Sequence, residues 1–209
     1  MSHTGMRLKF AALCLCSALL GVGLSTPARA ADAADPATVQ VQGFYDTLLD
    51  SMKHAKELGV KGRFDKLKPA IEKSFDLPAM LRTVVGPKWS GFTPAEQNAL
   101  LAAFERKTVA EYASNFDGFS GEKFIVEPTT KPRGADKIVE SKLIAGKQTV
   151  PFGYRMRQSA GSWKILDIYL NGVISQLAMQ RSDFAATITT GGAGALTKQL
   201  NANADKLLK

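Results

Sequence analysis

Asp167 is the one acid set within a strongly apolar run, Trp163-Lys164-Ile165-Leu166-Asp167-Ile168-Tyr169-Leu170. Aimed into a cavity, its carboxyl would lose solvation, its pKa would rise, and it would act as a general base on an apolar substrate. Aimed the other way, it is a structural acid paired with a lysine or arginine on a neighbouring strand. The structural reading is preferred, because no second catalytic group stands out. Nucleophilic triads are hard to assemble here. His54 is the only histidine after residue 30, it falls on the solvated side of its helix, and no G-x-S-x-G turn presents a serine. Gly191-Gly192-Ala193-Gly194 lacks the preceding strand and following Lys-Ser/Thr of a phosphate loop, so it reads as a break between two helices. Lys131, Arg133, Lys137, Lys142, Lys147, Arg155 and Arg157 are scattered through one region. They could meet anionic headgroups or acidic partner surfaces, and an ordinary solvated face explains them as well.

Composition narrows the classes further. Arg7 and Lys9 precede an apolar run from Phe10 to Leu24 that ends at Ala28-Arg29-Ala30. The run is shorter than the roughly 20 residues of a membrane-spanning helix and has the layout of a secretory leader. Residues 1–30 are therefore expected to be cleaved, leaving 31–209 as a single domain that starts at Ala31. That domain keeps 24 basic against 19 acidic residues, a charge of about +5. Cys14 and Cys16 both lie in the leader, and the residues before them, Leu13 and Leu15, are too large for a lipid-attachment signal. The exported chain thus has neither disulfide nor thiolate ligand, and one histidine cannot build a zinc site. No cofactor, metal or nucleic acid is expected of such an exported chain. The 45% apolar content excludes intrinsic disorder.

These residues must be held by recognisable elements. Asp35-Pro36 starts a helix whose stripe is Val41, Phe44, Leu48, Met52 and Ala55, closed by Gly59 and Gly62. A shorter pattern follows with Phe64, Leu67, Ile71 and Phe75. Asp76 caps a third helix, carrying Leu77, Met80, Leu81 and Val84 up to Gly86-Pro87. Thr93-Pro94-Ala95-Glu96 is a capping box opening a long helix with Leu100, Leu101, Phe104, Tyr112 and Phe116 on one face. From Gly118 the period falls to two. Four strands are expected, Phe124 to Glu127, Lys137 to Ala145, Gln148 to Gln158 and Trp163 to Leu170, with Pro128 to Asp136 as the first connection. In the third, Val150, Phe152, Tyr154 and Met156 alternate with Pro151, Gly153, Arg155 and Arg157, so one face is apolar. Helical spacing returns after Asn171-Gly172 with Ile174, Leu177, Phe184 and Ile188, then from Ala193 with Leu196 and Leu200. The fold class is α+β: a curved four-stranded antiparallel meander with N-terminal and C-terminal helices packed on one face. Periodicity alone does not separate a filled interior from a lined pocket.

Several segments carry a resemblance. Phe75-Asp76-Leu77-Pro78-Ala79-Met80, Val85-Gly86-Pro87-Lys88-Trp89, Phe104 through Tyr112, Gly153-Tyr154-Arg155-Met156, Trp163 through Ile168, Asn171-Gly172-Val173-Ile174-Ser175 and Arg181 to Phe184 occur in an order that resembles the MlaC, or toluene-tolerance, family of periplasmic lipid-binding proteins. Within it, Phe44-Tyr45-Asp46-Thr47-Leu48-Leu49, Pro132-Arg133-Gly134-Ala135-Asp136 and Ile174-Ser175-Gln176-Leu177-Ala178 are most similar to the hopanoid-associated HpnM branch. Phospholipid-carrying relatives usually read Gly-Val-Ser where Ile174 here separates Val173 from Ser175.

The resemblance implies a carrier whose apolar cavity shelters the hydrocarbon of a membrane lipid, hopanoid or phospholipid, between membranes. It implies an inner-membrane lipid transporter as partner and an outer-membrane complex as a plausible second one. On that reading Phe44, Leu48, Phe75, Met80, Leu81, Phe104, Tyr112, Phe152, Tyr154 and Met156 line or border the pocket, and Leu48→Trp or Ala178→Trp would block it. An exported adaptor without ligand, or a small enzyme with Asp167 as base, are the alternatives; a carrier that is not an enzyme is the expectation.

Overall fold

The computed structural model describes residues 34–209; the leader expected at residues 1–30 lies outside them. Local signals start each helix. Asp35 caps α1 (Pro36–Lys53), its Oδ1 accepting from the Ala37 N–H at 2.9 Å, with proline at the first helical position. Asp76 caps α3 (Leu77–Val85) by accepting from the Ala79 N–H at 3.1 Å. The capping box of Thr93 and Glu96 opens α4 (Pro94–Asn115). Between α1 and α3 runs α2 (Ala55–Ser74), and a 3-10 turn (Gly86–Gly91) joins α3 to α4.

The first break differs from the sequence expectation. The chain leaves α1 at His54, whose exposed ring donates from Nδ1 to the Asp50 carbonyl at 2.8 Å, and not at Gly59 and Gly62. Gly59 instead kinks α2, and Gly62 stays helical. Arg63, 7% exposed, locks the bend: its Nε donates to the Ala113 carbonyl at 2.8 Å and its Nη1 to the Ala55 carbonyl at 2.9 Å. One carbonyl in the last turn of α4 and one at the start of α2 thus find a charged donor.

The sheet is an antiparallel meander in the order β1 (Lys123–Arg133), β2 (Asp136–Ala145), β3 (Gln148–Ser159), β4 (Ser162–Leu170) and β5 (Ile174–Ser175). It has five strands where four were expected. β1 also runs on through the segment expected as a connection, because a bulge between Val126 and Thr130 absorbs Pro128, which has no N–H to offer the ladder. A second irregularity, between Arg155 and Met156, pairs Arg155 with Asp167 but Met156 with Ile165, so Leu166 is the extra residue. Ile174, expected in the last helix, belongs to β5 instead. The helix α5 (Gln176–Leu207) starts two residues later, capped by the Ser175 hydroxyl, which accepts from the Ala178 N–H at 3.0 Å.

All five helices contribute to one core with the inner sheet face. Val41, Phe44, Leu67, Ile71, Leu81, Leu100, Phe104, Leu196 and Leu200 meet Val139, Met156 and Ile165, each at most 1% exposed. Each such side chain contributes about 1.5–3 kcal/mol by leaving water. The glycine-rich stretch does break a helix: α5 kinks at Gly192, whose φ of 61° and ψ of −154° lie in a region that a Cβ excludes. Gly192→Ala is expected to cost about 1–3 kcal/mol in equilibrium denaturation, whereas Gly194→Ala, outside the left-handed region and with nothing within 4 Å of its added Cβ, should show no such loss. Among the described residues no helix is long and apolar enough to cross a membrane.

Candidate functional site

Asp167 resolves first. It is 5% exposed, and its Oδ1 accepts from the Ile168 and Leu177 N–H groups at 2.8 and 3.1 Å, while its Oδ2 accepts from the Ser175 hydroxyl at 2.6 Å. The expected cationic partner is not what holds it. Its cross-strand neighbour Arg155 turns to Asp136 instead. The carboxylate sits at the positive end of α5 and ties β4, β5 and that helix together. Removing it in Asp167→Ala leaves the Leu177 N–H unpaired and is expected to cost about 1–3 kcal/mol in a denaturant titration. Among the described residues no cluster of three or more His, Cys, Asp or Glu could hold a metal.

A pocket of about 360 Å³ opens between the inner sheet face, α4 and the first turns of α5. Its apolar walls come from every layer: Leu48 of α1, Phe75 and Met80, Tyr112 and Phe116 of α4, Phe124 of β1, Phe152 and Tyr154 of β3, Ile168 and Leu170 of β4, and Leu177. Aromatic stacking stiffens them. Tyr112 lies face to face with Phe116 (5.7 Å, 13°) and edge-on to Phe44 (5.3 Å, 90°); Tyr45 stacks on Phe124 (4.3 Å, 20°). The rim is polar, with Lys107, Glu111, Gln176 and Asp183, and Met179 stands half exposed among them, while the Gln180 amide oxygen is buried. Lys107 Nζ is paired with Glu111 at 2.6 Å and lies over the Phe184 ring.

The polar atoms inside this pocket are neutral. Burial pushes the Tyr45 hydroxyl up to about 12, outweighing its hydrogen bonds to Ser141 and Tyr154, and burial likewise raises Tyr112 and Tyr154. At neutral pH the aromatic walls therefore present neutral phenols and hydrocarbon, with the charges of Lys107, Glu111 and Asp183 kept to the rim.

A wider depression of about 730 Å³ lies on the outer sheet face around Gly153. Its walls include the ion pairs of Lys142 with Glu127, and Glu140 with Lys131, and Arg133 donates to the Tyr169 hydroxyl at 2.6 Å. Most basic residues of the sheet are thus engaged: Lys137 holds Asp35 at 2.6 Å, and Arg155 and Arg157 share Asp136. This charged surface suits water better than hydrocarbon. The inner pocket differs in its walls, which are aromatic and aliphatic side chains continuous with the core.

Residues 42–202 match the family model of the MlaC protein. The chain belongs to the MlaC family. The MlaC-family fold also appears in the phospholipid-binding protein from Ralstonia solanacearum, solved in complex with a phospholipid, which is 22% identical with a TM-score of 0.73 over 84% of this chain and 100% of that one. At that identity the likeness concerns the fold.

Of the residues that the sequence singles out, Leu48, Phe75, Met80, Tyr112, Phe152 and Tyr154 lie on the walls of the MlaC-family pocket, whereas Phe44, Leu81, Phe104 and Met156 do not. Phe44 packs behind the wall against Phe75 and Tyr112, and the other three face the core. Ala178 is exposed on α5 and is not among the residues that line this pocket. Sequence reasoning passed over Phe124, Ile168, Leu170, Leu177 and the pair Lys107–Glu111. The signals were there: the strand alternation places Ile168 and Leu170 on Tyr154's face, and lysine and glutamate four apart flag one helix surface.

Proposed function

We propose that this MlaC-family chain is a periplasmic carrier that shelters the hydrocarbon of a membrane lipid, hopanoid or phospholipid, in the pocket between the sheet and α4 and α5. The observation that carries this reading is a pocket with apolar walls and a polar rim in the interior of the molecule. A phospholipid bound by the Ralstonia protein of the same fold supports it. Each methylene kept from water saves about 0.8 kcal/mol, so a sheltered tail crosses water at a small fraction of the bare cost. At about 360 Å³ the pocket lies near the lower end of the range for ligand sites, about 300–1,000 Å³, and suits one acyl tail. A two-tailed or polycyclic guest requires α4 and α5 to part from the sheet.

Bilayer and pocket offer similar surroundings, so direction must come from partners; we assign that part to an inner-membrane lipid transporter and an outer-membrane complex. The same reading includes cleavage of residues 1–30, leaving 31–209 as the carrier domain, and closeness to the hopanoid-associated branch. The enzyme alternative gains no support, because both oxygens of Asp167 are engaged by the protein and the residue lines neither of the two pockets described. Purification without detergent, followed by mass spectrometry of co-extracted lipid, should find about one lipid molecule per chain, with its headgroup class naming the cargo. A chain that repeatedly emerges empty and takes up neither lipid class would defeat the proposal.

A further inference from the structure

The interior of the pocket holds hydrogen-bonding groups that the protein itself does not use. Ser141 Oγ, Tyr45 Oη and Tyr154 Oη form a chain with links of 2.7 and 2.8 Å, in which Tyr45 donates to Tyr154. Three hydroxyls carry three protons and make two bonds. Ser141 must then donate to Tyr45, and the surplus O–H belongs to Tyr154, which is 3% exposed and on the pocket wall. The Tyr112 hydroxyl, on the same wall, makes no hydrogen bond to any described residue. Gln180 adds a third group: its Oε1 is buried without a partner, and exchanging the amide's oxygen and nitrogen would bury an orphan N–H₂ there instead.

A plain saturated tail would press methylenes against all three groups. Buried donors left facing hydrocarbon are costly, and an oxygen on the guest removes that cost. Resting on the carrier reading above, we propose that the pocket prefers a lipid whose buried part bears an acceptor oxygen, a hydroxyl or a carbonyl, received by the hydroxyls of Tyr112 and Tyr154. A guest hydroxyl can donate to Gln180 Oε1 as the amide stands, whereas a guest carbonyl can be met only after the amide turns its N–H₂ inward.

The test is competition against a fluorescent long-chain fatty acid on the purified protein. Competitors are stearate, stearates hydroxylated near the carboxylate, at mid-chain or at the terminal carbon, and their keto counterparts. One net hydrogen bond corresponds to about a fivefold gain, so at least one oxygenated isomer should compete about fivefold or more better than stearate. A hydroxyl isomer that outdoes its keto counterpart supports the use of Gln180, and equal gains support the two phenols alone. Tyr112→Phe loses no bond within the protein and should reduce the preference, with Tyr154→Phe as a second variant; unchanged circular dichroism controls for folding. Stearate binding tightest of the whole set, with Tyr112→Phe affecting every competitor alike, overturns the preference while leaving the carrier reading in place. Failure of the fluorescent acid and every competitor to bind overturns both.

Discussion

A Leu48→Trp protein should fold normally and come away from gentle purification without lipid, its uptake of a fluorescent fatty acid at least about tenfold weaker. Leu48 is 1% exposed, yet its side chain borders free space as well as neighbours. An indole there has about 360 Å³ of pocket to grow into, so the usual overpacking cost of about 1–3 kcal/mol is largely avoided. The volume it takes is volume denied to a tail. Leu100→Trp is the counterpart: Leu100 is fully buried in the core and borders no pocket, so its enlargement should show the full overpacking cost in a thermal or urea melt. If Leu48→Trp destabilises as much as Leu100→Trp, the interior is solid at Leu48. If it melts normally and still binds lipid, the guest lies elsewhere.

That contrast also marks how far the sequence could be read. Phe44 and Leu48 sit four apart on one stripe of α1, and nothing in their spacing distinguishes them. In three dimensions the rings of Phe75 and Tyr112 close over Phe44, at 5.2 and 5.3 Å, while Leu48 faces the gap. Periodicity tells which side of an element turns inward; whether the inward side meets a neighbour is decided by elements far away in the chain. Met156 shows the same limit, since the extra residue Leu166 sets it against Ile165 in the core and away from the pocket that Phe152 and Tyr154 border.

The starts of α1, α3 and α4 were legible because their causes are local. The acids Asp35 and Asp76 and the pair Thr93 and Glu96 bond to N–H groups two or three residues away, so the sequence contains both partners. Strand extents were not, because the bulge that carries β1 past Pro128 depends on β2 lying beside it. The fate of Asp167 was half legible. Its burial follows from the apolar run, but its partners, Ser175 and the Leu177 N–H, come from a turn that folds back over β4 and creates β5.

The largest electrostatic effect on stability is expected at Asp136. Its carboxylate is 2% exposed and faces two guanidiniums: Arg157 donates through Nε to Oδ1 at 2.6 Å and through Nη2 to Oδ2 at 3.0 Å, and Arg155 donates through Nε to Oδ2 at 2.5 Å. Burial acts to raise its pKa, but the hydrogen bonds and charges of Arg157 and Arg155 together outweigh burial and hold the group below the usual carboxylate range. Replacing Asp136 with asparagine keeps the shape and removes the charge, leaving two like charges on adjacent positions of one strand face. Both arginines reach solvent, which screens their repulsion, so the cost is about 2 kcal/mol at neutral pH and not the larger penalty of a fully buried pair.

The pH dependence has a definite sign. A carboxylate whose folded pKa is depressed contributes fully above its unfolded value, near 4, and loses that contribution as pH falls through the folded value. The stability gap between the parent and Asp136→Asn should therefore be constant from about pH 5 to neutrality and shrink below about pH 4. Asp35, also held low against burial by Lys137 and Thr130, titrates in the same window in both proteins and cancels from the difference. Because Asp136 joins the start of β2 to the end of β3 across the sheet from the pocket, its loss should lower the urea midpoint while fatty-acid affinity of the folded protein stays the same. A gap that persists unchanged at acid pH would mean that the arginines, and not the charge on Asp136, account for the stability of that corner.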